Sequence, residues 1–194
     1  MNEVFETIYL RRSVRNYKPD DVSDEIIRDL IKTATYAPHS ATRTEPRKFV
    51  VIKDRELIGR LSERAKKLWL DRIDDLPSEF PKERIRQTVL ENPASNIFYH
   101  APVLVFIYAA PGSSAPHYDC ATAAQNMMLA ARSLGIGSCW IGWGTPLDAD
   151  QQTRDELNVP EGYRLMVPLI FGYPAKDVET TPPRDQDVVL NWIE

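Results

Sequence analysis

The fold class predicted by the sequence is α+β or α/β, with helices packed on a central sheet. Three observations predict it. Apolar runs of strand length, at residues 48–52, 103–108 and 165–171, alternate with stretches of helical periodicity. The 194 residues, 43% of them hydrophobic, suffice for one full core, and no Gly/Ser-rich linker divides them. A strongly apolar helix candidate at 119–134 implies burial on most of its sides. The whole chain, residues 1–194, therefore reads as one domain.

Each element has its own signal. Val4, Phe5 and Ile8 give a short helix over 2–10 with one apolar face, ending in Arg11, Arg12, Ser13 and Arg15. Ser23 is suited to cap the next helix, and Asp24 and Glu25 suit its positive first turn. Ile26, Ile27, Leu30, Ile31 and Ala34 form its stripe, and Pro38 marks its end. A polar loop at 39–47 leads to the strand at 48–52, and Leu57, Ile58 and Leu61 continue as a helix. Residues 70–95, with three prolines and many charges, read as an excursion holding one helix at 82–91, outside the core. Pro102 opens the second strand, and Gly135 stops the alanine-rich helix. A strand at 138–141, a helix at about 148–157, the strand at 165–171 and a Pro-rich tail complete the chain.

Composition removes several classes of function. With 24 basic against 28 acidic residues the net charge is −4, the opposite of a nucleic-acid binder. No apolar run reaches the roughly 18 residues that span a bilayer. The N-terminal decapeptide has no basic region followed by an apolar stretch, which reads against a secretory signal. The two cysteines, Cys120 and Cys139, fit a reducing cytoplasm. His117 and Cys120 form an H-x-x-C pair with no second pair at zinc spacing, so no metal site is expected. Gly135 and Gly137 follow a helix and precede a strand, the reverse of a dinucleotide fingerprint. No G-x-S-x-G elbow is present, and Cys139 reads as a packed strand thiol.

What remains is the arginine turn. Arg11, Arg12, Ser13 and Arg15 place three guanidiniums and a hydroxyl within five residues. Guanidinium forks match phosphate oxygens, so the turn is a candidate phosphate receptor; cations closing a helix C-terminus are the alternative. With an anion receptor but no acid/base pair, metal or nucleophile, the profile suits an enzyme whose bound cofactor supplies the chemistry. No catalytic residue is assigned.

The arginine turn also resembles a known motif. Residues 8–17, with Arg11-Arg12-Ser13-Val14-Arg15 before Tyr17, are similar to the N-terminal R-R-S-x-R of the nitroreductase family. Four more blocks agree in order: Ala37-Pro38 through Glu45-Pro46 to Phe49, then Ala101-Pro102-Val103, then 119–142, then Gly172-Tyr173-Pro174 with Arg184 before a V-V-x-W close. The resemblance implies an α+β three-layer sandwich, a mostly antiparallel sheet flanked by helices, in an intertwined homodimer with FMN between subunits. It implies that Arg11, Ser13 and Arg15, with Arg12 beside them and Arg184 approaching, hold the FMN phosphate. Arg43 and Glu45 would lie near the flavin, and backbone at Ile141 and Gly142 would face its ring. The sequence alone does not separate a helix 119–134 that faces a partner from one central to a monomer. The implied activity is transfer of electrons from NADH or NADPH to a nitroaromatic, quinone or other electron-poor acceptor by a ping-pong mechanism. Reductive dehalogenation or flavin breakdown, with residues 66–95 as a lid, and a non-catalytic flavin-binding or redox-sensing module are the alternatives. In one loop the chain departs from the family: Thr42-Arg43-Thr44-Glu45-Pro46-Arg47 stands where N-x-Q-P-W is usual, so charges replace amides and Arg47 replaces tryptophan. A cation added there is expected to stabilise anionic reduced flavin.

Overall fold

A computed structural model describes residues 2–40, 44–176, 183–185 and 187–194. The elements run α1 (Glu3–Leu10), α2 (Asp24–Thr35), β1 (Arg47–Ile52), α3 (Arg55–Leu70), α4 (Lys82–Ile85), β2 (Val103–Ala109), α5 (Pro116–Ser133), β3 (Gly137–Trp140), α6 (Gln151–Glu156) and β4 (Arg164–Gly172). The four strands pair antiparallel in the order β1-β2-β4-β3. The fold is therefore α+β, as expected.

Strand alternation builds the layers. On β2, Val103, Val105, Ile107 and Ala109 face the α2 and α5 side, where they join Ile27, Leu30, Ala124 and Met127. Leu104, Phe106 and Tyr108 face the opposite way and join Ile58, Leu61 and Ala65 of α3. Because both faces are covered, every residue of β2 is buried and its sequence is a continuous apolar run. Each large side chain so buried contributes about 1.5–3 kcal/mol.

Local chemistry fixes the helix ends. Ser23 accepts a hydrogen bond from the N–H of Ile26 at the start of α2. At the end of α5, Gly135 takes φ +71°, and the N–H of Ile136 reaches the carbonyl of Ala131 at 2.8 Å while that of Gly135 reaches Arg132 at 3.1 Å. This is the double closure of a Schellman turn, which turns the chain directly into β3.

Two expectations need correction, and a third element, α1, is as expected but uncovered. The helix expected at 148–157 begins at Gln151, because Asp150 caps it by accepting from the N–H of Thr153; residues Gly142–Ala149 form a 3-10 run around Pro146. The excursion is not wholly outside the core: Ile73 and Leu90 are buried, and α4 continues as a π-helical turn over Arg86–Leu90. The apolar face of α1 exists but is not covered within the chain, for none of its residues is buried. Among the described residues, no helix is long and apolar enough to cross a membrane.

Candidate functional site

The site begins where α1 ends. Arg11 closes the helix through its N–H to Thr7, and the backbone then runs extended toward β3. Val14 N–H donates to the carbonyl of Ser138 at 2.9 Å, and Ser13 bridges Ser138 in parallel sense. Further on, Lys18 N–H donates to Tyr173 (2.8 Å), Ala175 N–H to Asn16 (3.0 Å), and the Tyr17 hydroxyl to the Val14 carbonyl (2.6 Å). Two glycines admit this segment. A Cβ at Gly137 would come within 2.9 Å of Val14, and one at Gly172 within 2.6 Å of Pro102 and 2.8 Å of Tyr17. Burial pushes the Tyr17 phenol well above its usual range, so this clamp stays protonated.

The parallel alignment with β3 distributes the arginines along one line. Arg11 and Arg12 lie at the Gly137 end, where with Arg132, Gly135 and Ser138 they line a cavity of about 70 Å³. Arg184 comes close enough to Arg11 to repel it; burial first, then Arg12 and Arg184, lower the Arg11 pKa, and among the described residues no carboxylate forms an ion pair with it. Arg15 lies at the other end. It lines a cleft of about 460 Å³ with Trp69, Tyr99, Ile141, Gly142 and Trp143, and its guanidinium carbon stands 5.9 Å from the Tyr99 ring centre. The strand residues between the two ends, Gly137–Trp140, cover about 10 Å at the usual rise of roughly 3.3 Å per residue. The resemblance gives Arg11, Ser13 and Arg15 to one phosphate; in the structure Arg11 and Arg12 line the small cavity and Arg15 lines the cleft.

Between the ends lies Cys139, whose buried thiol is raised by burial, against the opposing effects of Arg15, a Ser13 hydrogen bond and Arg11. It is a packed strand thiol, as expected. The cleft's far wall comes from the end of α3, the excursion and the 3-10 run. Trp69 Nε1–H donates to the Trp143 carbonyl at 2.9 Å, and the two rings meet edge-on at 4.9 Å. Tyr99 and His100 both sit in the left-handed region, at φ +54° and +51°, a backbone cost that sites accept when it aims a side chain. The 3-10 run starts at Gly142, so its first N–H groups have no partner inside the helix. Reading the sequence alone missed Trp69, Tyr99, Arg132 and Trp143. Only Arg132 carried a signal there, as the basic residue just before the Gly135 stop.

Glu45 belongs to a different cluster. Its carboxylate grips the wholly buried Arg47 through Nε and Nη2, and Arg47 also donates to the carbonyls of Ala37 and Asp119, both at 3.3 Å. Asp119, also buried, accepts from Ser40 N–H (2.7 Å), Ser40 Oγ (2.8 Å) and Ser113 Oγ (3.0 Å). Arg47 therefore does not add a cation to the cleft; Glu45 neutralises it inside the protein. Within one chain, Glu45 is not brought to the arginine turn, and its ion-pair partner is Arg47. Arg43 lies outside the described residues. Among the described residues, no group of three or more His, Cys, Asp or Glu could hold a metal ion.

Comparison with known proteins agrees with this geometry. The model of the nitroreductase family matches residues 8–173. A putative NADH dehydrogenase/NAD(P)H nitroreductase of Archaeoglobus fulgidus is 30% identical over 91% of this chain and 88% of its own length. Iodotyrosine deiodinase 1 of Mus musculus is 30% identical over 90% of this chain and 63% of its own length. Among solved structures, a nitroreductase with bound FMN from Bacteroides fragilis superposes with a TM-score of 0.82 at 29% identity, covering 100% of both chains.

Proposed function

Since the chain belongs to the nitroreductase family, we propose that it is an FMN-dependent oxidoreductase. In this reading it passes electrons from NADH or NADPH to a nitroaromatic, quinone or similar electron-poor acceptor, as a cytoplasmic homodimer. The observation that carries the proposal is the line along β3: a cationic cavity at Arg11 and Arg12, an aromatic cleft at Ile141 and Gly142, and about 10 Å of strand between them. FMN has the matching form, a dianionic phosphate at one end and a flat ring at the other.

The donor set fits the phosphate. Arg11 and Arg12, the Ser13 hydroxyl and Arg184 present several donors, with no carboxylate paired to Arg11 among the described residues, and a bound dianion would offset the repulsion that lowers the Arg11 pKa. At the ring end, a Cβ on Gly142 would meet nothing within 4 Å, so the backbone there is open to a planar group, with N–H donors of the 3-10 turn beside it. FMN, when bound, supplies the hydride-accepting and electron-donating chemistry. The residues of the chain bind, orient and exclude water. For a quinone the net change is NAD(P)H plus a proton plus quinone to NAD(P)⁺ plus hydroquinone.

The homodimer rests on uncovered apolar surface. Val4, Phe5 and Ile8 on α1 are exposed, as are Leu190, Trp192 and Ile193 in the tail, and α1 and α5 flank a groove of about 310 Å³. In a dimer with FMN between subunits, the loop carrying Arg43 and Glu45 would serve the partner's site. The chain acts as one FMN-binding domain, with residues 66–95 walling the cleft. The free, buried state of Cys120 and Cys139 supports a reducing compartment.

The absorbance spectrum tests the reading first: the purified protein should be yellow and should bleach rapidly on anaerobic mixing with NAD(P)H. Parallel lines in two-substrate kinetics are expected for ping-pong turnover. Colourless protein that gains nothing from added FMN would overturn the proposal. A yellow protein that NAD(P)H does not bleach would make it a flavin-binding module instead. The likeness to the mouse deiodinase, together with the wall built by Trp69 and Phe80, supports dehalogenation as the second reading. Iodide release from iodotyrosine measures it directly.

A further inference from the structure

A buried charge is a costly way to hold a loop, since an apolar side chain packs there without the desolvation. Lys66 is the one buried lysine among the described residues, at 3% exposure. Its three N–H donors are all engaged: Nζ reaches Glu63 Oε1 at 2.8 Å and the carbonyls of Asn92 and Ser95 at 3.0 and 3.1 Å. The Glu63 side chain is largely exposed, so the firm partners are the two carbonyls. One turn earlier on α3, the wholly buried Ser62 accepts the N–H of Ile97 at 3.0 Å. A cation and a hydroxyl provide what apolar packing does not, a fixed position for each backbone group they hold.

The segment so held leads directly into the wall of the ring-end cleft. Asn96 Oδ1 accepts from the N–H of Phe98 at 2.8 Å, and the Asn96 carbonyl accepts from that of Tyr99 at 2.9 Å. Phe98 between them is wholly buried. Tyr99 and His100 then take left-handed backbone, which persists only where neighbouring contacts over-determine it. Tyr99 lines the cleft, and so does Trp69. Ser62, Lys66 and Trp69 recur at helical spacing and share one side of α3. One side of one helix thus carries one wall of the cleft and holds the loop that carries another.

We propose that Lys66, with Ser62, is a positioning residue for the cleft: it fixes residues 92–97 to α3 and so sets where the Tyr99 ring stands relative to Trp69. Neither residue touches the cleft; both act through Tyr99. The inference rests on the oxidoreductase reading for what the cleft receives, a flat acceptor, and adds how the width of the cleft is held. The hold itself needs no flavin. Loss of the ammonium leaves two carbonyls without their donor, and the loop above them is then free to shift Tyr99. A wide acceptor feels that shift more than a narrow one.

The test reads Tyr99 directly and then through turnover. Full-length protein carrying 3-fluorotyrosine gives fluorine resonances, and the Tyr99 line is the one lost in Tyr99→Phe. Lys66→Met should move that line and leave those of the exposed Tyr36 and Tyr118 in place. In flavin-loaded protein the same substitution should lower kcat/KM by about tenfold for a two-ring naphthoquinone and by less than about threefold for benzoquinone. In a Tyr99→Ala background it should change either value by less than about twofold, because its route is already cut. Val22→Ala, in the buried layer on the other face of the sheet, supplies the control: it lowers Tm and should leave the fluorine line and the quinone ratio as they are. Should Lys66→Met not fold, Ser62→Ala keeps the charge, strands only the Ile97 N–H, and should move the same line in the same protein. A Tyr99 line unmoved in both variants overturns the inference, as does a loss on Lys66→Met that is undiminished in the Tyr99→Ala background. Protein that is colourless or is not bleached by NAD(P)H overturns the oxidoreductase reading instead, and the fluorine measurement then decides this inference alone.

Discussion

A double-mutant cycle on Glu45 and Arg47 probes the loop in which this chain departs from its family. Arg47 is fully buried, whereas the Glu45 side chain is 28% exposed. Arg47 directs two donors at Glu45 and one each at Ala37 and Asp119. Removing one partner of a fully buried ion pair costs about 3–5 kcal/mol. Because Glu45 keeps some water contact, about 2–4 kcal/mol is the fair expectation for Glu45→Ala. In a chain of this size that lowers Tm by roughly 5–15 °C. Arg47→Met removes the buried cation itself and should cost less, about 1–3 kcal/mol, since Glu45 can turn to water. The double variant should then recover much of the loss, with a coupling of about 2 kcal/mol. Urea unfolding at fixed protein and FMN concentration measures all four corners, because bound ligand shifts apparent stability. Acid adds a second axis. Burial alone would raise the Glu45 carboxyl, but hydrogen bonds and charge from Arg47 hold it below the usual range. Its contribution is therefore complete above about pH 4.3 and fades as pH falls through the lower folded value. Single costs that add to within about 0.5 kcal/mol would refute the buried-pair argument.

Other outcomes follow from the contacts described above. Asp119→Ala strands the N–H and hydroxyl of Ser40 and should cost about 2–3 kcal/mol by chemical denaturation. Burial would raise the Asp119 carboxyl, yet Ser40, Ser113 and Arg47 hold it low, so its stabilisation too should disappear below about pH 4. Gly135→Ala forces a Cβ at φ +71° and should cost about 1–2 kcal/mol. Gly172→Ala meets Pro102 and Tyr17 and should cost about 1–3 kcal/mol through overpacking, loosening the clamp on residues 13–18. Arg11→Ala should weaken FMN retention on dialysis by roughly 10–100-fold, with a smaller salt dependence than the parent. Neither thiol should react with Ellman's reagent at pH 8 in the folded protein, since both are buried and the Cys120 thiol is pushed up to about 12. Prompt release of the chromophore would contradict this.

The parts of the fold that the sequence made legible are those governed by local rules. Ser23 caps α2, Gly135 ends α5, and the apolar runs became β1, β2 and β4, because each depends on a few adjacent residues. The 3-10 run at 142–149 was not legible, since Pro146 and the choice between Asp148 and Asp150 as cap are settled by packing. Asp148 is instead drawn to the N–H of Leu165. In the sequence Arg47 reads only as standing in place of a tryptophan; strand alternation and Glu45 turn it inward, as part of a buried ion pair. For the site, the arginine turn was visible as a cluster, but its division into two ends was not. That division arises from pairing with β3, 125 positions away along the sequence (Ser13 to Ser138). Trp69, Tyr99 and Trp143 gave no local signal, because a cleft wall is assembled by contacts between distant segments.

That pairing across the sequence has a temporal side. The cation cavity draws on Arg11 from the start of the chain, Arg132 and Ser138 from its middle, and Arg184 approaches from its end. A chain emerging from the ribosome makes these groups in order, and the first arginines wait, without their strand, while most of the protein is translated. On the proposed reading, cofactor capture waits until Arg184 has been made. On that reading, removal of the segment from Arg184 onward should weaken FMN retention on dialysis.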